Sequence, residues 1–395
     1  MRDNSYSSTH PPLPPTTEDL RVSWLRLLRS RRVGVSTFWR LLSEHKHVDA
    51  ALEALPQVAK DAGVNSYRIC PMDVAQAEIE AGHACGARLV CCGDYDYPSA
   101  LSHLPDAPPL LWVRGGTAVL RRPMVALVGA RNASSLGTRM ARALSRGLGE
   151  AGFVVVSGLA RGVDTAAHIE TVKTGTVAVM AGGVDVMYPA ENGQLARDIL
   201  DQDGALVSEQ PIGMQPQARH FPVRNRIVSG MARAVVVVEA AAKSGSLITA
   251  RTALDQGRDV MAVPGHPMDA RASGCNFLIR DGAVLVRNVE DIIEALAPAE
   301  DIAPELPLEP ANPPAVIPAG APQTRSLRET ADLHRQILDR LGPSPVAEDQ
   351  LTRDLGASAA QMAPALTDLE LEGRVHRQPG GLLSLAPRAG SARIS

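Results

Sequence analysis

The sequence predicts an α/β protein centred on a doubly wound, mostly parallel sheet, and two observations carry that expectation. Seven short apolar runs follow one another between Met124 and Asn288, at 125–128, 153–156, 177–180, 205–207, 234–238, 260–263 and 283–286. They are rich in valine and do not alternate apolar with polar residues, which suits strands covered on both faces. Amphipathic stretches such as 136–151 and 247–256 separate them, giving βαβ alternation. A Rossmann-like domain over 116–297 follows.

The flanking elements read in order. Residues 1–17 are Pro-rich and polar, with neither a basic start nor an apolar core, so they form a disordered tail and not a signal peptide. From Glu18 onward Leu20, Trp24, Leu27 and Leu28 recur at helix spacing. The run V-G-V-S-T-F-W-R-L-L at 33–42 is a small turn entering a second helix, similar to the helix-hairpin-helix elements of SAM-like domains. Only one such unit is visible. Residues 18–115 are therefore read as a structural SAM-like helical domain plus a connector through Y-D-Y-P at 95–98 and P-P-L-L-W-V at 108–113. Residues 298–325, rich in Pro, Ala and Glu without periodicity, form a semi-rigid linker. A helix at 327–341, two short helices at 350–355 and 362–371, and a hairpin from 373–376 and 382–385 then give the order of a winged helix over 326–387.

Composition excludes several classes. No apolar run approaches the length that spans a bilayer, so no membrane insertion is expected. Five cysteines, an odd number in a chain of 395 residues, argue for the reducing cytoplasm and against a disulfide framework. Cys70, Cys85, Cys91 and Cys92 lie near His83 in sequence, but they match no C-x-x-C pair, and no metal or other cofactor is assigned. The net charge of −3 does not by itself point to a polyanion. Divided by region it does: residues 121–290 hold 19 Lys+Arg against 15 Asp+Glu, whereas 291–395 hold 9 against 15.

Ligands of open α/β sheets sit beyond the carboxyl ends of the strands. The first strand ends in V-G-A-R-N-A-S (128–134), the second in V-S-G-L-A-R-G (156–162) and the third in A-G-G (181–183). Glycines let backbone amides approach an anion, and a following helix N-terminus adds partial positive charge. A phosphate compound is the natural guest. A dinucleotide is disfavoured, since Gly129 is followed by Ala130, Arg131 and Asn132 instead of completing G-x-G-x-x-G, and the second strand ends in Ser157-Gly158 with no ribose-binding acid. Walker A spacing is absent around Lys243, Ser244, Gly245 and Ser246.

Two further stretches suit a polyanion: H-F-P-V-R-N-R (220–226), placed ahead of a predicted helix, and E-A-A-A-K-S-G-S (239–246) after the fifth strand. An arginine clamps a phosphate through parallel hydrogen bonds, and Phe221 offers a stacking face worth ~1–3 kcal/mol per base. The competing reading makes Phe221 core and pairs Arg224 with Glu239 or Asp255.

Taken together, V-G-A-R-N-A-S, V-V-S-G-L-A-R-G-V-D-T-A-A-H, Y-P-A-E-N, S-E-Q-P, F-P-V-R-N-R-I-V-S-G, V-E-A-A-A-K-S-G-S-L-I-T-A and V-P-G closely resemble the DNA-processing protein A (DprA, or Smf) family over roughly 124–288. The resemblance implies a bacterial cytoplasmic homodimer that binds incoming single-stranded DNA in natural transformation, protects it and helps load the RecA recombinase. It assigns strand contacts to Gly129, Arg131, Ser157, Gly158, Phe221, Arg224, Asn225, Arg226, Lys243, Ser244, Gly245 and Ser246. Some relatives place a lysine just upstream of the F-P segment, where this chain has Ala218 beside Arg219.

Catalysis is weighed and declined. Asp164, His168, Glu209 and Ser157 supply an acid, a base and a nucleophile on paper, but no G-x-S-x-G elbow or H-E-x-x-H pair is present, and Asp164 with His168 reads as a polar helix contact. The alternative function is a Rossmann enzyme binding or hydrolysing a phosphorylated nucleoside; a third reading is a scaffold with a decayed groove. In the terminal domain the recognition helix, 358–372, carries Asp368, Glu370 and Glu372 and no Lys or Arg, which favours protein contact over duplex reading.

Overall fold

The computed structural model describes residues 14–297, 327–342, 344–378 and 381–386. The linker expected at 298–325, and the expected tail up to residue 13, lie outside the described residues. The chain divides into two compact units, Met1–Asp301 and Ile302–Ser395.

The first unit opens with helices α1 (Glu18–Arg29), α2 (Val35–His45), α3 (Val48–Asp61) and α4 (Met72–Ala84). Thr17 caps α1 by accepting the Leu20 N–H, and the acids Glu18 and Asp19 at its start with Arg26 and Arg29 at its end complement the helix dipole. Trp24, Phe38 and Trp39 meet edge-on at the centre of this helical layer, with Trp24 and Phe38 centroids 5.2 Å apart.

Strands β1 (Ala87–Cys91) and β2 (Leu110–Gly115) follow, with the short helix α5 (Ser99–Ser102) between them. Then come β3 (Met124–Val128), α6 (Ser135–Glu150), β4 (Val154–Ser157), α7 (Val163–Thr171), β5 (Thr176–Val179), α8 (Gly193–Asp201) and β6 (Ala205–Ser208). The unit closes with α9 (His220–Met231), β7 (Ala234–Val237), α10 (Gly245–Asp255), β8 (Asp259–Ala262), α11 (Ser273–Arg280), β9 (Val284–Leu285) and α12 (Val289–Leu296). The nine strands form one sheet in the order β1-β2-β6-β5-β4-β3-β7-β8-β9, parallel from β6 to β9.

The sheet starts earlier in the chain than the apolar runs suggest. β1 and β2, inside the stretch read as helical domain plus connector, join the β6 edge antiparallel, with Trp112 opposite Ser208. Leu110 to Val113 are buried there. β1 pairs only with β2, and the partner of β2 in β6 lies almost a hundred residues away, which no local pattern displays. The helical layer is fastened to this edge: Trp112 Nε1 donates to Glu78 Oε1, and Arg29 holds the same carboxylate at 2.8 Å.

Residues along β3 alternate between the two helical layers. Ala126 and Val128 face Ile227, Val228, Ala250 and Ala253 of α9 and α10, whereas Val125 and Leu127 face Ala141, Leu144 and Leu148 of α6. Burial on both sides explains the uninterrupted valine-rich runs. From central β3 the chain winds outward through β4, β5 and β6, then returns to build β7, β8 and β9 on the other side, so the winding reverses between β3 and β7. A ligand crevice is expected there.

The second unit contains α13 (Leu327–Arg340), β10 (Val346–Ala347), α14 (Glu348–Asp354), α15 (Ala359–Leu371), β11 (Val375–Gln378) and β12 (Leu382–Leu385). Its sheet runs β10-β12-β11 over a core that includes Ile337, Leu351, Leu366, Leu369 and Leu383, the winged-helix arrangement. A capping box of Ser358 and Gln361 starts α15.

Candidate nucleic-acid interface

Where β3 and β4 end, the backbone must turn sharply to reach α6 and α7. Gly162 makes this possible at φ +78°, and a Cβ on it would lie 2.2 Å from Ala130 O. Gly158 leaves room for a guanidinium: a Cβ there would lie 2.1 Å from Arg224 Nη1. On the other side of the switch point Ser244 caps α10, accepting from Ser246 N, while Ser246 Oγ donates to Gly129 O at 2.8 Å and ties the start of α10 to the end of β3.

These exits enclose a cleft of about 630 Å³. It brings together Gly129, Arg131, Gly158, Phe221, Arg224, Asn225, Lys243, Ser244, Gly245 and Ser246 of the residues expected from sequence. The Arg131 guanidinium lies over the Phe221 ring, 4.9 Å from its centroid, and the Tyr188 ring is 5.7 Å beyond Phe221 at 54°. Arg131 and Lys243 are exposed and make no ion pair among the described residues. Phe221 is half-buried, a cleft wall and not core.

Two expected contacts, Ser157 and Arg226, are corrected, and a third, Arg224, is engaged within the cleft floor. Ser157 is fully buried, its Oγ donating to Leu127 O at 2.6 Å. Arg226 turns away from the cleft, pairing with the Glu209 carboxylate and donating to Asp106 O at 2.6 Å. Arg224 reaches the floor of the cleft but is only 6% exposed. Its Nη1 donates to Gly158 O and Val179 O, and its Nε to Asn225 Oδ1. Burial lowers its pKa to about 10 against the opposing pull of Asp164. Arg224 thus braces the floor and pairs with neither Glu239 nor Asp255.

The physical reason is helical. Residues 220–226 belong to α9 instead of preceding it, and positions i, i+3, i+4 and i+7 share a face, so Phe221, Arg224, Asn225 and Val228 line the cleft while Arg226 does not. That spacing was available in the sequence. Asn132, Arg271 and Tyr188 were missed: Asn132 adjoins Arg131, Tyr188 sits in Y-P-A-E-N, and Arg271 comes from the loop after β8, for which the sequence carries no signal.

The residues weighed for catalysis hold the fold. Asp164 accepts from the N–H groups of Gly158 and Ala160, and burial raises its pKa. His168 Nδ1 meets Thr176 Oγ1 at 2.7 Å, so its partner is β5 and not Asp164. Burial pushes the thiols of Cys91 and Cys92 up to about 12 and about 11, unsuited to nucleophilic work. Among the described residues no group of three or more His, Cys, Asp or Glu is placed to hold a metal ion, and no helix is long and apolar enough to cross a membrane.

Comparison with known proteins now places the chain. The family model described as DNA recombination-mediator protein A matches residues 88–297, flanked by a DprA-like N-terminal HHH domain at 18–81 and a DprA winged helix domain at 321–381. The chain belongs to the DNA-processing protein A family. Protein Smf of Escherichia coli K12 is 35% identical over 291 residues, covering 73% of this chain and 75% of the relative. DNA processing protein DprA of Streptococcus pneumoniae is 45% identical over 199 residues, half of this chain and 70% of that one. The X-ray structure of the S. pneumoniae protein superposes with a TM-score of 0.58 at 34% identity, covering 70% of this chain and 98% of that one.

Proposed function

We propose that the cleft between β3 and β7 holds a single DNA strand, and that the protein shields the strand in natural transformation and helps deliver it to the RecA recombinase. The observation that carries this reading is Arg131 stacked on Phe221 beside Lys243, which is exposed and makes no ion pair among the described residues. A guanidinium that takes phosphate and a ring that takes a base, one against the other, match the alternation of charge and aromatic face along a single strand. Duplex DNA offers no such open bases.

The test is titration of thymidine oligomers at two salt concentrations. Affinity falls as salt rises with a logarithmic slope of about −0.7 per neutralised phosphate, and Arg131→Ala costs about tenfold while reducing the slope by about 0.7. Salt-independent association, or a mononucleotide that saturates this cleft and excludes the oligomer, overturns the reading in favour of an enzyme acting on a phosphorylated nucleoside.

The reading extends to a cytoplasmic homodimer. Ile248, Leu254, Phe277 and Val284 are exposed along a groove of about 920 Å³ between α10, α11 and β9. Lys243, Ser244 and Ile248 line both this groove and the DNA cleft, so a second copy seated on it would extend the strand path. The winged helix serves protein contact: its wing cations Arg374 and Arg377 are engaged by Glu372, Glu348 and Glu370.

A further inference from the structure

A second cleft, of about 720 Å³, opens at the same end of the sheet on the opposite face, between the start of α6, the ends of β7 and β8 and the residues leading into α12. Its most distinctive group is Glu239. This carboxylate is more than nine-tenths buried, yet no Lys, Arg or His lies within ion-pair distance among the described residues. Among the described residues Ser134 alone answers it, donating from its backbone N–H and its Oγ. A carboxylate has about four acceptor positions, so acceptor capacity remains for a donor in the cleft. Gly137 makes the position possible, because a Cβ there would lie 2.4 Å from Glu239 Oε2.

The walls define the rest of the ligand. Met140, Val263 and Val289 supply apolar surface on either side. At the mouth stand Arg139 and His266, both exposed, and Arg139 makes no ion pair among the described residues. A flat apolar body with an N–H donor at its inner edge and a negative charge at its outer end meets all three demands. The volume also falls in the range of small-molecule sites. We propose that this cleft is a nucleotide subsite in which Glu239 accepts from the exocyclic amino group of a base, while Arg139 faces its phosphate. The source is either a base of the bound strand or a free nucleotide. The proposal goes beyond strand binding at Arg131 and stands or falls separately from it.

The test uses the full chain and dAMP. dAMP binds saturably, its analogue lacking the 6-amino group binds about tenfold more weakly, and Arg139→Ala costs about tenfold. Ala143→Trp, at an exposed position on the cleft wall more than two turns beyond the cap of α6, leaves Glu239 and Ser134 themselves unchanged and is expected to fill the space and abolish dAMP binding. Mixed-sequence and thymidine-only oligomers then separate the sources. If the base belongs to the strand, Ala143→Trp reduces mixed-sequence affinity to the thymidine level; if the nucleotide is free, oligomer binding is unchanged. No saturable dAMP binding overturns the proposal, as does equal affinity for the analogue lacking the amine. So does dAMP binding lost in Arg131→Ala but kept in Ala143→Trp, which would put the nucleotide in the first cleft. Thymidine oligomers binding the wild type throughout keep the strand-binding reading intact whichever result is found.

Discussion

His168 is the residue at which burial has its plainest consequence. Its ring is enclosed by α7 and β5, Nδ1 meets Thr176, and Nε2 has no hydrogen-bond partner among the described residues. Burial, aided by the positive Arg224, lowers its pKa from 6.5 to about 3. The folded chain therefore keeps this imidazole neutral where the unfolded chain takes up a proton. Above pH 6.5 both states are neutral and the residue adds no pH dependence. As pH falls from 6.5 towards 3 the unfolded state is increasingly favoured, with a slope of up to about 1.4 kcal/mol per pH unit. Thermal melts of the wild type and His168→Gln between pH 7 and pH 4 check this: the variant melts lower at neutral pH but loses less on acidification. Parallel curves would assign the acid sensitivity to other groups.

At the scale of the element, α9 distributes its side chains by angle. Phe221 and Asn225 face the cleft, Arg224 braces its floor, and Arg226 reaches the other way to Glu209 and Asp106. Both members of the Arg226–Glu209 pair are largely buried, so removing one strands a charge. Arg226→Met is expected to cost about 3–5 kcal/mol of stability by denaturant unfolding and to leave the salt slope of oligomer binding unchanged. A fall in slope at unchanged stability would return Arg226 to the DNA surface. The contrast with Arg131 is instructive, because the sequence offers both as arginines near a strand exit. Only the direction in which each leaves its element separates them.

At the scale of the whole molecule, charge and apolar surface are unevenly placed. The excess of Lys and Arg lies between residues 121 and 290, the segment that supplies the cleft, and the excess of acid from residue 291 onward. Exposed Leu254 and Phe277 beside the short edge strand β9 form the apolar face proposed for the second copy. Leu254→Glu, on the outer side of α10, is expected to give a folded monomer in sedimentation. It should bind long thymidine oligomers more weakly than the wild type while matching it on oligomers too short to reach a second cleft. A dimer that persists in the variant would move the interface elsewhere.

Much of the fold was legible because its cause is local. A strand buried on both faces must be apolar along its whole length, and helices between parallel strands must be amphipathic, so the runs from Val125 to Val286 declared a doubly wound sheet. Glycines and cations at successive strand exits likewise pointed to the cleft between β3 and β7 that is proposed to hold the strand. What tertiary structure decided was partnership. β1 and β2 joined the sheet through residues remote in sequence, Arg224 and Arg226 were claimed by carbonyls and a carboxylate that folding brought to them, and Glu239 was left facing a second cleft. A side chain's type is written in the chain, but whether water, a ligand or a neighbour satisfies it depends on the burial that distant contacts create.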